Sequence, residues 1–432
     1  MDEVSIEEDE SNSGIEVAPA LIAVHPLEES VAVATGAELR VFSLKEDQPI
    51  ALRDDSEGPS HSEAIRAICF GAKGRFFASA GDDKLVKVWA VDSWQCIKTV
   101  CSEKRVSAVA VSHDGHWLTF ADKFGVVWVA ELVVERDNDT LVNRKPLPIL
   151  AHYCSIITSL EFSPNGQYLV SADRDFKIRV TVFPKNPSNG AHEIQSFCLG
   201  HTDFVSCLAF VRTGEDPQGF LLSGSGDSTV CLWDFPTGCL LCTCKVGEKA
   251  ELVGLIGEDH HPAVTDLCAY PDGSIVAVAI QSFCGVVLLT CDLSTKTLAV
   301  AKIISLKETF IPTCLGMSCS TERLWIVTGA SNLPSSTTLP LACVKVVSRL
   351  QICNLDSNSA GPVVLENDSI PGGEKLLEKL QGSVNAGKEE KAFAEAAEAV
   401  KASMRNLLIK KQYSAEKREF RKRSRNDKKI KQ

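Results

Sequence analysis

The chain has 432 residues, a formal net charge of −11 and a hydrophobic content of 44%. This length exceeds one ordinary domain but suits a ring of repeats. The sequence has no run of about 20 apolar residues, which argues against a membrane span. The first residues, MDEVSIEEDES, lack the features of a secretory signal. The 17 cysteines are therefore expected to be reduced thiols.

Short β-forming runs closed by turn residues recur along the chain about every 40 to 50 residues, the period of propeller blades. In three units an Asp in a turn is followed six residues later by a Trp: Asp83 and Trp89, Asp122 and Trp128, and Asp227 and Trp233. A fourth unit contains SADRD and KIRVTV, and weaker units lie near 15–55, 262–300 and 310–355. The pattern predicts an all-β, seven-bladed β-propeller over residues 15–355. Six or eight blades also fall within the known range of propellers.

Composition divides the rest of the chain. Residues 1–14 form an acidic segment, and 356–373 are predicted as a linker. Residues 374–412 are rich in helix formers and are predicted as a helical extension with an apolar stripe of Phe393, Ala397, Val400, Met404 and Leu408. Residues 413–432 form a basic tail. Between Lys401 and Gln432 there are 13 Lys or Arg and three acids, so this end of the chain favours polyanions.

Two segments carry a resemblance to known proteins. GH, SGSGD and LWD between Gly200 and Asp234 resemble a WD repeat. SADRDFKIRV (Ser171 to Val180), followed by IQSFCLGHTDFVS (Ile194 to Ser206), closely resembles the WD-repeat, non-catalytic subunit of the eukaryotic tRNA (guanine-N7)-methyltransferase. The chain departs from that pattern in its weak first and last blades and in its basic tail.

The resemblance implies a subunit without catalytic residues, cofactor or metal of its own. It would bind and stabilise, as a heterodimer, a separate Rossmann-like chain that uses S-adenosylmethionine to form N7-methylguanosine at guanine 46 of tRNA. It further implies tRNA as a partner through the complex. A nuclear location, with the cytoplasm as a second one, is expected from the basic tail described below.

WD repeats contain a structural tetrad of a turn Asp, a His, a Ser and a Trp. The predicted sets are His61, Ser79, Asp83 and Trp89; His152, Ser171 and Asp175; and His201, Ser223, Asp227 and Trp233. Such a set resembles a hydrolase triad. Its recurrence in separate units favours a structural role, in which the buried polar groups satisfy one another.

Charges outside the tetrad are concentrated on the hairpin of the fourth unit, at Arg174, Lys177 and Arg179. Charges at such a position can orient a bound partner protein and make its binding specific. By the resemblance, they are predicted to contact the catalytic subunit, with Lys177 and Arg179 in ion pairs to its acidic residues. The alternative is a solvated strand edge that the charges protect from aggregation.

Other motifs favour ordinary structure. Cys239 and Cys242 have CxxC spacing, but no second pair at zinc-site spacing accompanies them in the sequence, which favours core packing. Gly224, Ser225 and Gly226 precede a strand instead of a helix, which favours a turn over a phosphate loop.

The basic tail has two functional interpretations. Its cations are predicted to neutralise RNA phosphates or to serve as a nuclear localisation signal, and a solubilising tail is the alternative. The residues concerned are Arg418, Arg421, Lys422, Arg423, Arg425, Lys428 and Lys429.

Two rival functions are compatible with a propeller. One is an adaptor of another complex, such as a ubiquitin ligase or a ribosome-assembly complex, because a fold alone does not fix function. The other is an enzyme with its site in the central channel.

Overall fold

The computed structural model describes residues 16–54, 60–132, 145–152, 155–212, 218–251, 262–306, 310–318, 321–332, 341–350, 361–381 and 394–402. The predicted acidic segment 1–14 and basic tail 413–432 lie outside the described residues, as do Phe393, Met404 and Leu408.

Seven antiparallel sheets form the blades of a propeller, which confirms the predicted all-β, seven-bladed fold. After β1 (Ala18–Pro19), blade 1 contains β2 (Leu21–Val24), β3 (Ser30–Thr35), β4 (Glu38–Ser43) and β5 (Gln48–Ile50). Blade 2 contains β6 (Ile65–Gly71), β7 (Phe76–Gly81), β8 (Leu85–Ala90) and β9 (Gln95–Cys101). Blade 3 contains β10 (Val106–Val111), β11 (Trp117–Asp122), β12 (Val126–Glu131) and β13 (Leu147–Ala151).

Blades 4 to 7 follow in the same order. Blade 4 contains β14 (Ile157–Phe162), β15 (Tyr168–Asp173), β16 (Ile178–Val182) and β17 (Ile194–Cys198). Blade 5 contains β18 (Val205–Val211), β19 (Phe220–Ser225), β20 (Thr229–Asp234) and β21 (Cys239–Lys245). Blade 6 contains β22 (Val264–Ala269), β23 (Ile275–Ile280), β24 (Gly285–Asp292) and β25 (Thr297–Ser305). Blade 7 contains β26 (Pro312–Met317), β27 (Leu324–Ser331), β28 (Leu341–Ser348) and β29 (Val363–Val364).

The first strands of neighbouring blades lie side by side around the centre, and β26 of blade 7 lies beside β2 of blade 1, so the ring is closed. Because each blade is an antiparallel meander, the turns between second and third strands share one face with the connections between blades. This face is called the upper face. Along the inner strands of each sheet, apolar side chains point to both faces of the sheet. Each blade therefore packs on both neighbouring blades.

The N-terminal segment helps to close the ring. β1 pairs with β27 of blade 7, with Ala18 opposite Ser331. At the β2–β3 turn, the buried Glu28 carboxylate accepts hydrogen bonds from Trp325 Nε1 at 2.9 Å and from Arg323. Blades 1 and 7 are therefore joined by both backbone pairing and a buried carboxylate.

One helix covers the same seam. The helices are α1 (Val246–Glu251), α2 (Gly373–Gln381) and a C-terminal helical segment at 394–402, with short 3-10 turns at Ala72–Gly74, Pro187–Asn189 and Asn367–Ser369. The apolar side of α2 buries Leu376, Leu377 and Leu380 against blades 7 and 1. Arg40 donates to the carbonyl of Leu380 at 3.3 Å, which satisfies a carbonyl at the helix end. No helix within the described ranges is long and apolar enough to cross a bilayer.

The helical segment 394–402 packs on the upper face. Its Ala397 and Val400, both in the predicted apolar stripe, are buried against Phe310 and Ile311 at the connection between blades 6 and 7. Gln281 in the β23–β24 turn donates to the carbonyl of Lys401 at 2.9 Å. Within the predicted linker, β29 pairs with β28 and extends blade 7. The C-terminal region thus contributes directly to the propeller surface.

Candidate functional site

Two complete tetrads lie at the upper face, in blades 5 and 2, with the same geometry. In blade 5, His201 Nδ1 lies 3.0 Å from Asp227 Oδ2 and Nε2 lies 2.7 Å from Ser223 Oγ, to which Trp233 Nε1 donates at 2.8 Å. The corresponding distances for His61, Asp83, Ser79 and Trp89 in blade 2 are 2.8, 2.8 and 3.2 Å. Each set ties the connection between blades to the second and third strands of its own blade.

The His201 imidazole is charged at neutral pH. Burial lowers its pKa, but the hydrogen bond to the Asp227 carboxylate and the neighbouring Cys231 outweigh burial, and the pKa rises to about 9. Burial acts to raise the pKa of Asp227, yet the bonds from His201, Thr229 and the Thr202 amide hold it well below its usual range. Asp227 and Ser223 therefore hold the two ring nitrogens of His201 inside the blade, as a structural role requires.

A pH dependence of stability follows from His201. A group whose pKa is raised by folding stabilises the protein fully below its unfolded value of 6.5, and this contribution is lost as the pH rises through about 9. We expect the difference in melting temperature between wild type and His201→Gln to be largest near pH 6 and to shrink toward pH 9.5. Thermal unfolding of both proteins across this range measures it. A difference that stays constant with pH would contradict the charged imidazole.

Blade 4 contains a tetrad whose acid differs from the predicted one. His152 Nδ1 lies 2.8 Å from Asp173 Oδ2, not from Asp175, and His152 Nε2 lies 2.7 Å from Ser171 Oγ. Asp173 ends β15 and is only 2% exposed, so its other oxygen also accepts from the amides of Asp175 and Lys177 in the turn. The prediction of Asp175 was wrong. It relied on a spacing from Ser171 that equals the spacing from Ser223 to Asp227 in blade 5. In blade 4 the acid at the strand end, Asp173, instead binds both the imidazole and the turn amides.

Blade 3 uses its acid in the same way as blade 4. Asp122 Oδ1 accepts from the amides of Phe124 and Val126 at 2.8 and 3.1 Å. Trp128 Nε1 donates directly to Asp122 Oδ2 at 2.9 Å. The Asp and Trp spacing seen in the sequence therefore marks a partly buried hydrogen bond in this blade too.

The three predicted partner residues lie at or beside the β15–β16 hairpin, in different environments. Lys177 is exposed in the turn. Arg179 is partly buried in β16, and its guanidinium donates to the carbonyl of Ala151 in blade 3 at 3.1 Å. Arg174 is partly buried, and its amide donates to the carbonyl of Ile156. Only Lys177 is thus fully presented to solvent, while the fold orients Arg179.

Two apolar side chains complete this surface and were not assigned from the sequence. Phe197 of β17 pairs directly with Arg179 across the sheet and is 42% exposed. Leu199 follows Cys198, which pairs with Ile178 next to Lys177, and is 62% exposed. We call Lys177, Arg179, Phe197 and Leu199 the rim surface. The signal was present in SFCLGH, since apolar residues flank the buried Cys198 on an outermost strand, where one side normally faces water.

Two acids on the innermost strands have raised pKa values. Burial raises the pKa of Asp266 to about 6, and burial together with the charge of Asp266 raises that of Glu161 to about 7. Asp266 Oδ2 accepts from the amide of Leu315 at 2.7 Å, a bond that joins the inner strands of blades 6 and 7. The Asp266 side chain therefore has a structural role, since it links two neighbouring blades at the centre of the ring.

The cysteines of the CxxC sequence lie along β21. Cys239 is exposed, Cys242 is partly buried, and Cys244 packs in the core between blades 5 and 6. In the part of the chain that the structure describes, no three His, Cys, Asp or Glu side chains are arranged to hold a metal ion.

Comparisons with known proteins agree with this geometry. Residues 147–342 match the family model described as the tRNA methyltransferase TRM82 WD40 domain, and residues 56–90 match the WD domain, G-beta repeat. Proteins named tRNA (guanine-N(7)-)-methyltransferase non-catalytic subunit are 34% identical in Danio rerio over 240 residues and 30% identical in Dictyostelium discoideum over 253. Each alignment covers 55% of this chain, and 53% and 51% of the respective relative. The matched region thus spans about half the length of these relatives.

Solved structures show the same architecture. The structure of U3-55K superposes with a TM-score of 0.59 at 19% identity, covering 77% of this chain and 96% of that one. The WD40 repeats of RRP9 give 0.58 at 20% identity, covering 74% and 88%. At this identity the likeness concerns the fold alone. Its seven blades, its tetrads and the WD-repeat match show that the chain is a WD-repeat β-propeller, and its residues 147–342 are similar to the tRNA methyltransferase TRM82 WD40 domain family.

Proposed function

We propose that this chain is a non-catalytic scaffold subunit of the tRNA (guanine(46)-N7)-methyltransferase. It binds and stabilises a separate catalytic subunit that uses S-adenosylmethionine to form N7-methylguanosine in tRNA. The names of the relatives in Danio rerio and Dictyostelium discoideum support this proposal. So does the family match, which includes the whole hairpin of blade 4.

The rim surface is the observation that carries the proposal. It combines an exposed ammonium at Lys177, a guanidinium that the fold holds at Arg179, and the exposed apolar side chains of Phe197 and Leu199. Anchored cations next to apolar area are typical of protein interfaces, since the apolar contacts give affinity and the charges select the partner. An acidic, partly apolar surface on the catalytic subunit would fit this surface.

The chemistry of the chain favours a supporting role. The His, Asp and Ser side chains that resemble a hydrolase triad occur once each in three blades, and every set joins strands of its own blade. A rigid ring acts by preorganisation: a catalytic chain held on it loses fewer conformations when tRNA binds, so the reactive arrangement costs less entropy. Catalysis itself remains with the companion chain.

Location and RNA contact through the tail are also part of the proposal. The basic residues between Arg418 and Lys429 supply the charge that nuclear import signals and RNA phosphates both require. We propose a nuclear location, with the cytoplasm as a second one, and a non-specific attraction of tRNA by these residues.

Affinity purification of the tagged full-length chain, with identification of the bound proteins, tests the proposal. Recovery of a Rossmann-type methyltransferase together with tRNA is the expected result. Recovery of ubiquitin-ligase subunits or of ribosome-assembly factors without a methyltransferase would overturn it in favour of another adaptor.

A further inference from the structure

We propose that the helical segment 394–402 is a docked anchor that holds the start of the basic tail on the upper face of the propeller. This segment is called the anchor helix. The inference rests on the proposed function, in which the tail attracts tRNA and the catalytic subunit binds beside Lys177. It adds that the start of the tail is held on the face that carries Lys177, so that one tRNA contacts both proteins.

One side of the anchor helix is buried against the propeller. Ala396 and Val400 are 0% exposed and Ala397 is 2% exposed, in one apolar cluster with Phe310 and Ile311 at the connection between blades 6 and 7. Most helical stability in proteins comes from such packing of an apolar face. The three buried side chains are short, so the helix lies close to the propeller, and a longer side chain at Ala397 would force it away.

Polar contacts fix the same helix. Gln281 in the β23–β24 turn donates to the carbonyl of Lys401 at 2.9 Å, and the Lys401 ammonium lies 2.9 Å from the Glu398 carboxylate. Val17, next to β1, belongs to the same apolar cluster as the helix. The anchor helix is thus held by blade 6, by the connection to blade 7 and by the N-terminal segment that closes the ring.

The anchor helix shortens the chain between the propeller and the basic tail. Lys417, the first cation of the tail, lies 15 residues after Ala402 at the end of the described helix. The preceding described element is α2, which ends at Gln381, 36 residues before Lys417. The effective concentration of a tethered group falls roughly as the −3/2 power of the tether length, so release of the anchor helix lowers that of the tail about fourfold.

The anchor helix and Lys177 lie on the same face of a rigid ring. Gln281 in blade 6 and Lys177 in blade 4 both lie in turns between the second and third strands of their blades. Two contacts from one rigid body bind a ligand more tightly than either contact alone, provided that both form at once. The geometry therefore favours a tRNA that the catalytic subunit holds at blade 4 and that the tail contacts from blades 6 and 7.

Substitution of Ala397 by Gln tests the proposal in the complex of this chain, the catalytic subunit and fluorescein-labelled tRNA. Ala397→Gln keeps the net charge and a good helix former, but it puts a long polar side chain at a buried position. Fluorescence anisotropy at about 150 mM salt should show about fourfold weaker tRNA binding by the complex. Ala394→Gln is the matched control, because the same change at an exposed position of this helix should leave tRNA binding unchanged.

Steady-state methylation separates positioning from a purely structural effect. Release of the anchor helix should raise the KM for tRNA about fourfold and leave kcat unchanged, since the tail binds tRNA equally in the ground state and the transition state. Capture of the catalytic subunit should also stay unchanged. A Gly and Ser linker between Gln412 and Tyr413 that lengthens the tether from 15 to 36 residues, with the anchor helix in place, should reproduce the loss.

Three results would overturn the proposal: wild-type tRNA binding by the Ala397→Gln complex, an equal loss in Ala394→Gln, and tighter binding after insertion of the linker. A loss of tRNA affinity in the Ala397→Gln chain without the catalytic subunit would overturn it too, because a single contact does not depend on its tether. If the wild-type chain captured no methyltransferase, the proposed function itself would fail, and the inference with it.

Discussion

Asp173→Ala is expected to lower the free energy of unfolding by about 3–5 kcal/mol, the cost of removing one partner from a buried, charged hydrogen-bonded set. Asp173 is 2% exposed and serves His152 with one oxygen and the amides of Asp175 and Lys177 with the other. Removing its carboxylate leaves one imidazole nitrogen and two amides without this acceptor in a site that water barely reaches.

Asp175→Ala is the matched control for this prediction. It removes the same group from the same turn, at a residue that the turn leaves partly exposed, and should cost about 1 kcal/mol or less. Denaturant unfolding of the two variants and the wild type under identical conditions compares them. A larger loss for Asp175→Ala than for Asp173→Ala would show that the acids have the opposite roles.

Lys177→Glu is expected to weaken capture of the catalytic subunit at least tenfold, equal to about 1.4 kcal/mol of binding free energy. At the proposed interface the reversal replaces attraction to an acidic surface by repulsion, and the loss is greatest where the interface excludes water. The melting temperature should change little, because Lys177 is exposed and the substitution keeps its backbone bond to Asp173.

Lys84→Glu is the matched control for this reversal, since Lys84 is an exposed lysine in the corresponding turn of blade 2. It should leave capture unchanged. Arg179→Glu gives less clear information: it also removes the hydrogen bond to the Ala151 carbonyl, so both stability and capture should fall. Equal capture by wild type and Lys177→Glu, measured by surface plasmon resonance with the purified subunit, would remove Lys177 from the interface.

The repeats made the propeller predictable because their signals are local. A turn aspartate six residues before a tryptophan, as in Asp83 and Trp89 or Asp227 and Trp233, marks a hairpin whose geometry depends on adjacent strands. The same kind of rule failed in blade 4, where the spacing selected Asp175, while the buried end of the strand places Asp173 beside His152.

Long-range packing was beyond such rules. The helix at Leu376 to Leu380 covers the seam between blade 1, which ends at Ile50, and blade 7, which begins at Pro312, and no local pattern specifies that position. The rim surface combines residues on or next to β16 and β17 with the Ala151 carbonyl of blade 3. Its charged members could be selected from sequence, but the exposure of Phe197 and Leu199 depends on the blade edge that they occupy.

Reconstitution of methyl transfer tests the central claim most directly. Purified chain, purified catalytic subunit, S-adenosylmethionine and tRNA are combined in all pairings, and N7-methylguanosine is mapped in the tRNA. The account predicts no product from this chain alone and at least tenfold more product at guanine 46 from the two proteins together than from the catalytic subunit alone. Methylation of tRNA by this chain without its companion, or an equal yield with and without it, would contradict the account.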